Sequence, residues 1–151
     1  MMNWICGSSG WGRFSGKAFA ISLASILAPL FVRSGGDSHR EAVYAGEVPV
    51  GFLMIGDNVP PGNPDLPWRY YLWRMLIDRR YQGRGYGRAA LDRLVEYLRT
   101  RPGAQMLVAS VVPGERSPLG FYLRYGFEPT GQMFDDEQVL QLRLVTIPPD
   151  V

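Results

Sequence analysis

The segment from Tyr70 to Thr100, YYLWRMLIDRRYQGRGYGRAALDRLVEYLRT, reads as a buried strand, a glycine-rich turn and an amphipathic helix in immediate succession. No other stretch restricts the fold as much. Tyr70 to Ile77 is rich in aromatic and branched apolar residues, which suit a pleated surface covered on both faces. The chain turns polar at Asp78-Arg79-Arg80 and then meets Gln82-Gly83-Arg84-Gly85-Tyr86-Gly87. Beyond it Leu91, Leu94, Val95 and Leu98 fall at i, i+3, i+4 and i+7, one face of a helix that starts in the glycine run.

Three glycines at alternate positions free the backbone to take positive φ and to approach another molecule closely. At a helix N-terminus the first N–H groups have no intrahelical acceptor, and the helix dipole adds partial positive charge, so such a turn suits phosphate oxygens. Arg79, Arg80, Arg84 and Arg88 add full charges around it. A tight turn that merely lets the helix pack on the strand explains the same glycines, and a glycine triplet alone does not decide between the two. The P-loop pattern fails, because Gly87 is followed by Arg88-Ala89 and not by Lys-Ser/Thr. Gly85-Tyr86-Gly87-Arg88-Ala89-Ala90 matches the dinucleotide fingerprint, which also demands an acid about 20 residues on, at the end of the next strand. The next strand, Gln105 to Val112, contains no Asp or Glu.

Gln82, Gly85 and Gly87 satisfy a third pattern, Q-x-x-G-x-G, and here the chain resembles the GNAT superfamily of N-acetyltransferases. A second block, ending in Phe121-Tyr122-Leu123-Arg124-Tyr125-Gly126-Phe127, is similar to that family's F-Y-x-x-x-G-F segment and lies one helix and one strand downstream. Segments Ala45–Phe52, Leu72–Asp78 and Val111–Gly114 resemble the bacterial diamine, or spermine/spermidine, branch. The resemblance implies a mixed α/β fold: a twisted, mostly antiparallel sheet with one splayed parallel pair and helices on both faces. It implies acetyl-coenzyme A as cosubstrate and no metal. The turn Gln82, Gly83, Arg84, Gly85, Tyr86, Gly87 and Arg88 would hold the diphosphate, and the backbones of Leu76 and Ile77 the pantetheine arm, where parallel strands part at a β-bulge. Tyr122 would protonate the departing thiolate; packing against the cofactor without proton transfer is the alternative. The implied acceptor is a primary amine, a polyamine in this branch. Other members acetylate protein N-termini, antibiotics or amino acids, and a GNAT-shaped protein that binds coenzyme A without turnover is a further alternative. Homodimers are common in the family, so a homodimer is the assembly implied.

The remaining residues bound these expectations. With 151 residues the chain suits a single domain, 1–151, whose first 40 residues diverge from the family. A formal charge of +2 makes no general case for nucleic acid. The single cysteine, Cys6, excludes an internal disulfide and points to the cytoplasm. No Cys/His cluster suggests a metal, and the lone His39 falls in a polar loop. From Ala18 to Val32 the chain is almost entirely apolar, but a membrane span needs about 20 residues and Pro29 interrupts this one. It reads as a buried helix; a signal-peptide core is the competing reading. Asn3-Trp4 reads as the start of a first helix, so the family's opening strand is absent or replaced. Hairpins are expected around Gly46–Pro49 and Asp135–Glu137, a long irregular connection at Asp57–Pro67, and a short helix at Ser117–Tyr125.

No residue stands out as the base that deprotonates the amine. Asp78 reads as a turn-fixing acid, and Glu115 and Pro118 depart from the family pattern beside the cofactor. Glu41, Asp57 and Asp65 are candidate acids for a polyamine groove, each with a solvated-loop alternative.

Overall fold

A computed structural model describes residues 3–6, 38–63 and 66–144. The helix expected over Ala18 to Val32 lies outside the described residues. Among the described residues ten elements follow one another: β1 (Asn3–Cys6), β2 (Ser38–Ala45), β3 (Val48–Asp57), β4 (Tyr70–Ile77), a 3-10 turn (Arg79–Tyr81), α1 (Tyr86–Arg99), β5 (Met106–Val111), α2 (Leu119–Tyr125), β6 (Glu128–Phe134) and β7 (Glu137–Arg143). The seven strands form one sheet in the order β2-β3-β4-β5-β7-β6, with β1 pairing β4 off that path. Only β4 and β5 run parallel along the main path; β2–β3, β3–β4, β5–β7 and β6–β7 are antiparallel.

β4 and β5 pair only at Tyr71↔Val108 and Leu72↔Ala109 and then separate. A bulge lies where they part: against β3, Ile55 faces Leu72 while Met54 faces Arg74, leaving Trp73 as the extra residue. An inserted residue bends a strand and increases its twist, so the bulge aims the last four residues of β4 away from β5. The fork between parallel strands expected from the sequence is therefore present, with its apex at Trp73.

The two faces of the sheet carry different cores. On one, Leu72, Met75, Ile77, Leu107, Ala109 and Leu140 pack with Leu91, Leu94, Val95 and Leu98 of α1 and with Tyr122 of α2. The i, i+3, i+4, i+7 stripe read from the sequence is the buried face of α1. On the other face Val59, Leu66, Tyr71, Val108 and Val139 form a smaller cluster, flanked by Trp68, Trp73, Met106 and Phe134. The aromatic rings there touch: Trp68 stacks on Tyr71 at 5.1 Å and meets Phe134 edge-on at 4.9 Å.

Two expectations are corrected. Asn3-Trp4 opens a strand, not a helix, and that strand lies against β4 instead of extending the sheet beyond β2. His39 lies in β2, paired with Ile55, not in a loop. Among the described residues no helix is long and apolar enough to cross a membrane.

Candidate functional site

The turn after β4 is built by its own polar residues. Asp78 accepts hydrogen bonds from the Arg80 backbone N–H at 2.9 Å and from its guanidinium at 2.8 and 3.1 Å. These bonds hold the Asp78 carboxyl down at about 2, so at neutral pH it is a fixed anion that shapes the turn. Gln82 then reaches back, its Nε2 donating to the carbonyl of Ile77 at 2.9 Å. Gly83 and Gly85 take φ of 74° and 84°, which an L side chain rarely adopts. Gly87 is required for a different reason: a Cβ there would come within 3.2 Å of the Phe121 ring and 3.4 Å of the Met75 side chain. Thus Gly83 and Gly85 bend the chain, and Gly87 lets α1 pack closely on α2 and β4.

The first hydrogen bond that returns to this turn runs from Ala89 N–H to Gly85 C=O at 3.0 Å. Among the described residues, the N–H groups from Gly83 to Arg88 have no backbone acceptor. Buried backbone groups are almost always paired, so several such donors in succession must face water or a ligand. Gly83, Arg84, Gly85 and Arg88 are exposed, and a Cβ on Gly83 or Gly85 would touch nothing within 4 Å. Diphosphate oxygens fit that donor set. The arginines differ in their commitments: Arg80 is tied to Asp78, Arg84 lies 5.6 Å over the Tyr81 ring and Arg88 5.9 Å over Tyr125.

The edge of β4 is a partial correction. Beyond the fork apex β5 no longer covers it, as expected, but β1 does, pairing Trp4 with Leu76 and Asn3 with Ile77. The main chains of Leu76 and Ile77 therefore carry a ladder with β1 in this structure, not an open edge. Tyr122 lies on the α1 face of the sheet, fully buried, with its ring edge-on to Phe121 at 5.3 Å and to Phe127 at 5.1 Å. Its hydroxyl oxygen is enclosed as well.

On the opposite face the structure assembles a cluster that the sequence reading did not single out. Ser110 of β5 donates a hydrogen bond to Glu137 Oε2, the first residue of β7. Since the Ser110 proton is used there, the Tyr71 hydroxyl is the donor in its 2.5 Å bond to Ser110 Oγ. Burial pushes the Glu137 carboxyl above its ordinary range, with Asp135 adding to the rise; the Ser110 hydrogen bond and the charge of Arg74 oppose it. The sequence holds a faint signal, the alternation of Glu137 and Val139 on one side of a strand, which the run of acids ending at Glu137 masks.

Other candidate acids fare differently. Asp57 is buried, accepting from Arg101 Nε at 3.0 Å and from the Tyr97 hydroxyl at 2.5 Å, and so clamps β3 to the end of α1 and the residues after it. That correction removes it from a groove role. Glu115 is exposed and Pro118 caps α2. Asp65 and the side chain of Glu41 lie outside the described residues. No group of three or more His, Cys, Asp or Glu among the described residues could hold a metal.

This geometry can be set beside known proteins. The profile described as the Acetyltransferase (GNAT) family matches residues 19–127. A spermine/spermidine N(1)-acetyltransferase of Bacillus subtilis is 31% identical over 98 residues, covering 64% of this chain and 64% of that protein. The chain is thus matched to a little under two thirds of that relative's length. Among solved structures, an acetyltransferase from Thermus thermophilus superposes with TM-score 0.59 at 23% identity, covering 72% of this chain and 66% of that one. PaiA N-acetyltransferase from Thermoplasma acidophilum, solved in complex with coenzyme A, gives 0.58 at 14% identity over 71% and 61%. At those identities the structural likeness speaks to the fold.

Proposed function

The chain belongs to the GNAT acetyltransferase family, and from that premise we propose that it is an N-acetyltransferase, one domain over 1–151, moving the acetyl group of acetyl-coenzyme A to a primary amine. The observation that carries this reading is the coincidence of two features: from Gly83 to Arg88, in the turn that follows β4, N–H groups without a backbone acceptor among the described residues, and, earlier in β4, a fork in the sheet. The diphosphate takes the N–H groups of the turn, with Arg84 and Arg88 screening its charge. Coenzyme A supplies an acyl carbon already activated as a thioester, so the chain has to position an amine and manage protons. Leu76 and Ile77 hold the pantetheine arm by their main chains, which requires β1 to give up its place on them. Tyr122 donates its phenolic proton to the departing sulfur from the α1 face.

Similarity to a spermine/spermidine acetyltransferase favours a polyamine as the acceptor. The direct test is thiol release from acetyl-coenzyme A across spermidine, an amino acid, an aminoglycoside and a peptide N-terminus. Spermidine is expected to turn over fastest; no release with any amine would overturn the reading. A second reading, a protein that binds coenzyme A without turnover, is favoured by the occupancy of the β4 edge by β1. Binding of coenzyme A by calorimetry, with no thiol released, would select it.

A further inference from the structure

Glu137 is enclosed to 4% exposure, and among the described residues its Oε1 has no hydrogen-bond partner. An ionised carboxylate accepts several hydrogen bonds, and leaving one oxygen of a buried carboxylate unsatisfied is costly, so a native structure that keeps one calls for an explanation. Its location supplies one. Ser110, which holds Oε2, is the residue of β5 that follows Ala109, the last to pair with β4. Glu137 therefore reaches, from β7 across β5, the residue next to the apex of the fork, on the face opposite Tyr122. An acyl carbon lying in that fork would have the phenol of Tyr122 on one side and this carboxylate on the other.

The surroundings match a cation. Tyr71, which completes the relay through Ser110, stacks with Trp68, and Trp73 at the bulge lies 6.5 Å from it. Aromatic rings in such a cluster favour an ammonium group over an anion. The groups facing Glu137 are Ser110 from β5, Tyr71 and Arg74 from β4, Asp135 from the preceding turn, and the non-titrating Phe134 across the hairpin from β6. Arg74 acts on Glu137 through space.

We infer that Glu137, seated with Ser110 and Tyr71 beside the apex of the β4–β5 fork, binds the acceptor's ammonium group and removes its proton before acyl transfer. The inference rests on the acetyltransferase reading and supplies the base it lacks. Glu137 takes one proton from the ammonium, leaving a neutral amine whose lone pair forms the new C–N bond. As the C–S bond breaks, the sulfur takes the Tyr122 proton, and the second proton lost by nitrogen restores that phenol. Glu137 passes its own proton to water, so one proton is released per turnover, with no other co-reactant needed. A carboxyl raised above its ordinary range is a better base near neutral pH than a free one, provided the medium is alkaline enough to ionise it.

The test uses the full chain, acetyl-coenzyme A and spermidine, with thiol release followed across pH. Glu137→Gln should lower kcat about 10²-fold or more, remove the acid limb of the pH profile and leave the KM for acetyl-coenzyme A unchanged. It should also remain folded, because Gln keeps an oxygen for Ser110 and removes a buried charge. The sign of that effect follows from the raised carboxyl: the folded state holds the proton more tightly than the unfolded one, so wild-type stability falls as pH rises from the ordinary value of 4.5. The variant's thermal midpoint should exceed that of wild type by a margin that grows from that pH up to the raised value of the folded state and is constant beyond it. Ser110→Ala, which removes a bond that lowers the Glu137 pKa, should move the acid limb to higher pH. A Glu137→Gln enzyme within threefold of wild type, its acid limb intact, would overturn the inference. Should the wild type release no thiol with any amine, the acetyltransferase reading fails by itself, and spermidine calorimetry still decides the cation seat: loss of binding in Glu137→Gln supports it, unchanged binding overturns it.

Discussion

Asp57 and Glu137 are buried equally, each 4% exposed, and are satisfied in opposite ways. Asp57 has a guanidinium on one oxygen and a phenol on the other, donated by Arg101 and by Tyr97 near the end of α1. Glu137 has a serine on one oxygen and, among the described residues, nothing on the other. A saturated buried acid is a structural clamp, since every bond it makes is already made within the chain. An unsaturated one costs stability unless something else completes it. The contrast teaches that burial alone does not identify a working carboxylate; the state of its second oxygen does.

The largest effect expected is on the saturated member. Asp57→Ala leaves Arg101 without its anion and Tyr97 without its acceptor; because Arg101 is partly open to water, the loss is that of the hydrogen bonds to a charged group, about 2–3 kcal/mol. Urea denaturation should show that loss, while the fraction still folded keeps its KM for acetyl-coenzyme A. If Asp57→Ala were instead stable and inactive, the two acids would have exchanged roles and the contrast would break.

Next is Tyr122→Phe, which tests the other buried oxygen near the fork. Losing a general acid lowers kcat about 10²-fold, with folding stability changed by about 1 kcal/mol at most. Combined with Glu137→Gln it sharpens the comparison: the single Tyr122 variant should keep the acid limb of the pH profile that the Glu137 variant loses. An undiminished rate would leave Tyr122 as a packing residue between Phe121 and Phe127.

The uneven legibility of these regions has physical causes. β4, α1 and the two hairpins were readable because each buries a long face, and burial imposes a period on the residues that make it. The glycine turn was readable because positive φ admits few residue types. β1 was not, since four residues are too few to display a period and their pairing with β4 is set by a partner some seventy positions away. Glu137 was hidden by its neighbours: Asp135-Asp136-Glu137 is a run of three acids, which reads as a solvated turn, and only the first two are exposed. Asp57 reads as loop for a related reason: the four prolines after it mark an irregular stretch, and the strand runs one residue further than they suggest.

The main-chain donors that have no backbone acceptor among the described residues can be tested as well. Gly85→Ala forces a Cβ into the left-handed region at φ 84°, at a cost of about 1–2 kcal/mol. Because open space surrounds that Cα, the cost is conformational and not steric. The turn should relax, scatter the donors from Gly83 to Arg88 and raise the KM for acetyl-coenzyme A several-fold, with kcat at saturation little changed. Gly87→Ala, a packing change against Phe121 and Met75, should lower thermal stability instead.

The smallest effect concerns the edge of β4, where the chain satisfies itself. β1 bonds the main chains at Met75, Leu76 and Ile77, which the pantetheine arm needs on the reading given above. A ligand that must displace a strand binds with its affinity reduced by the fraction of molecules in which the strand has left. Removing residues 1–6 should therefore lower the Kd for coenzyme A by a few-fold, the factor being the reciprocal of the fraction of molecules in which β1 has left that edge, and leave kcat at saturation unchanged. Since a short edge ladder contributes little to global stability, the thermal midpoint should move by only a few degrees. A truncation that binds coenzyme A more weakly would make β1 part of the site, a satisfied element like Asp57 and not a placeholder, and the contrast between completed and uncompleted groups would then stop at the side chains.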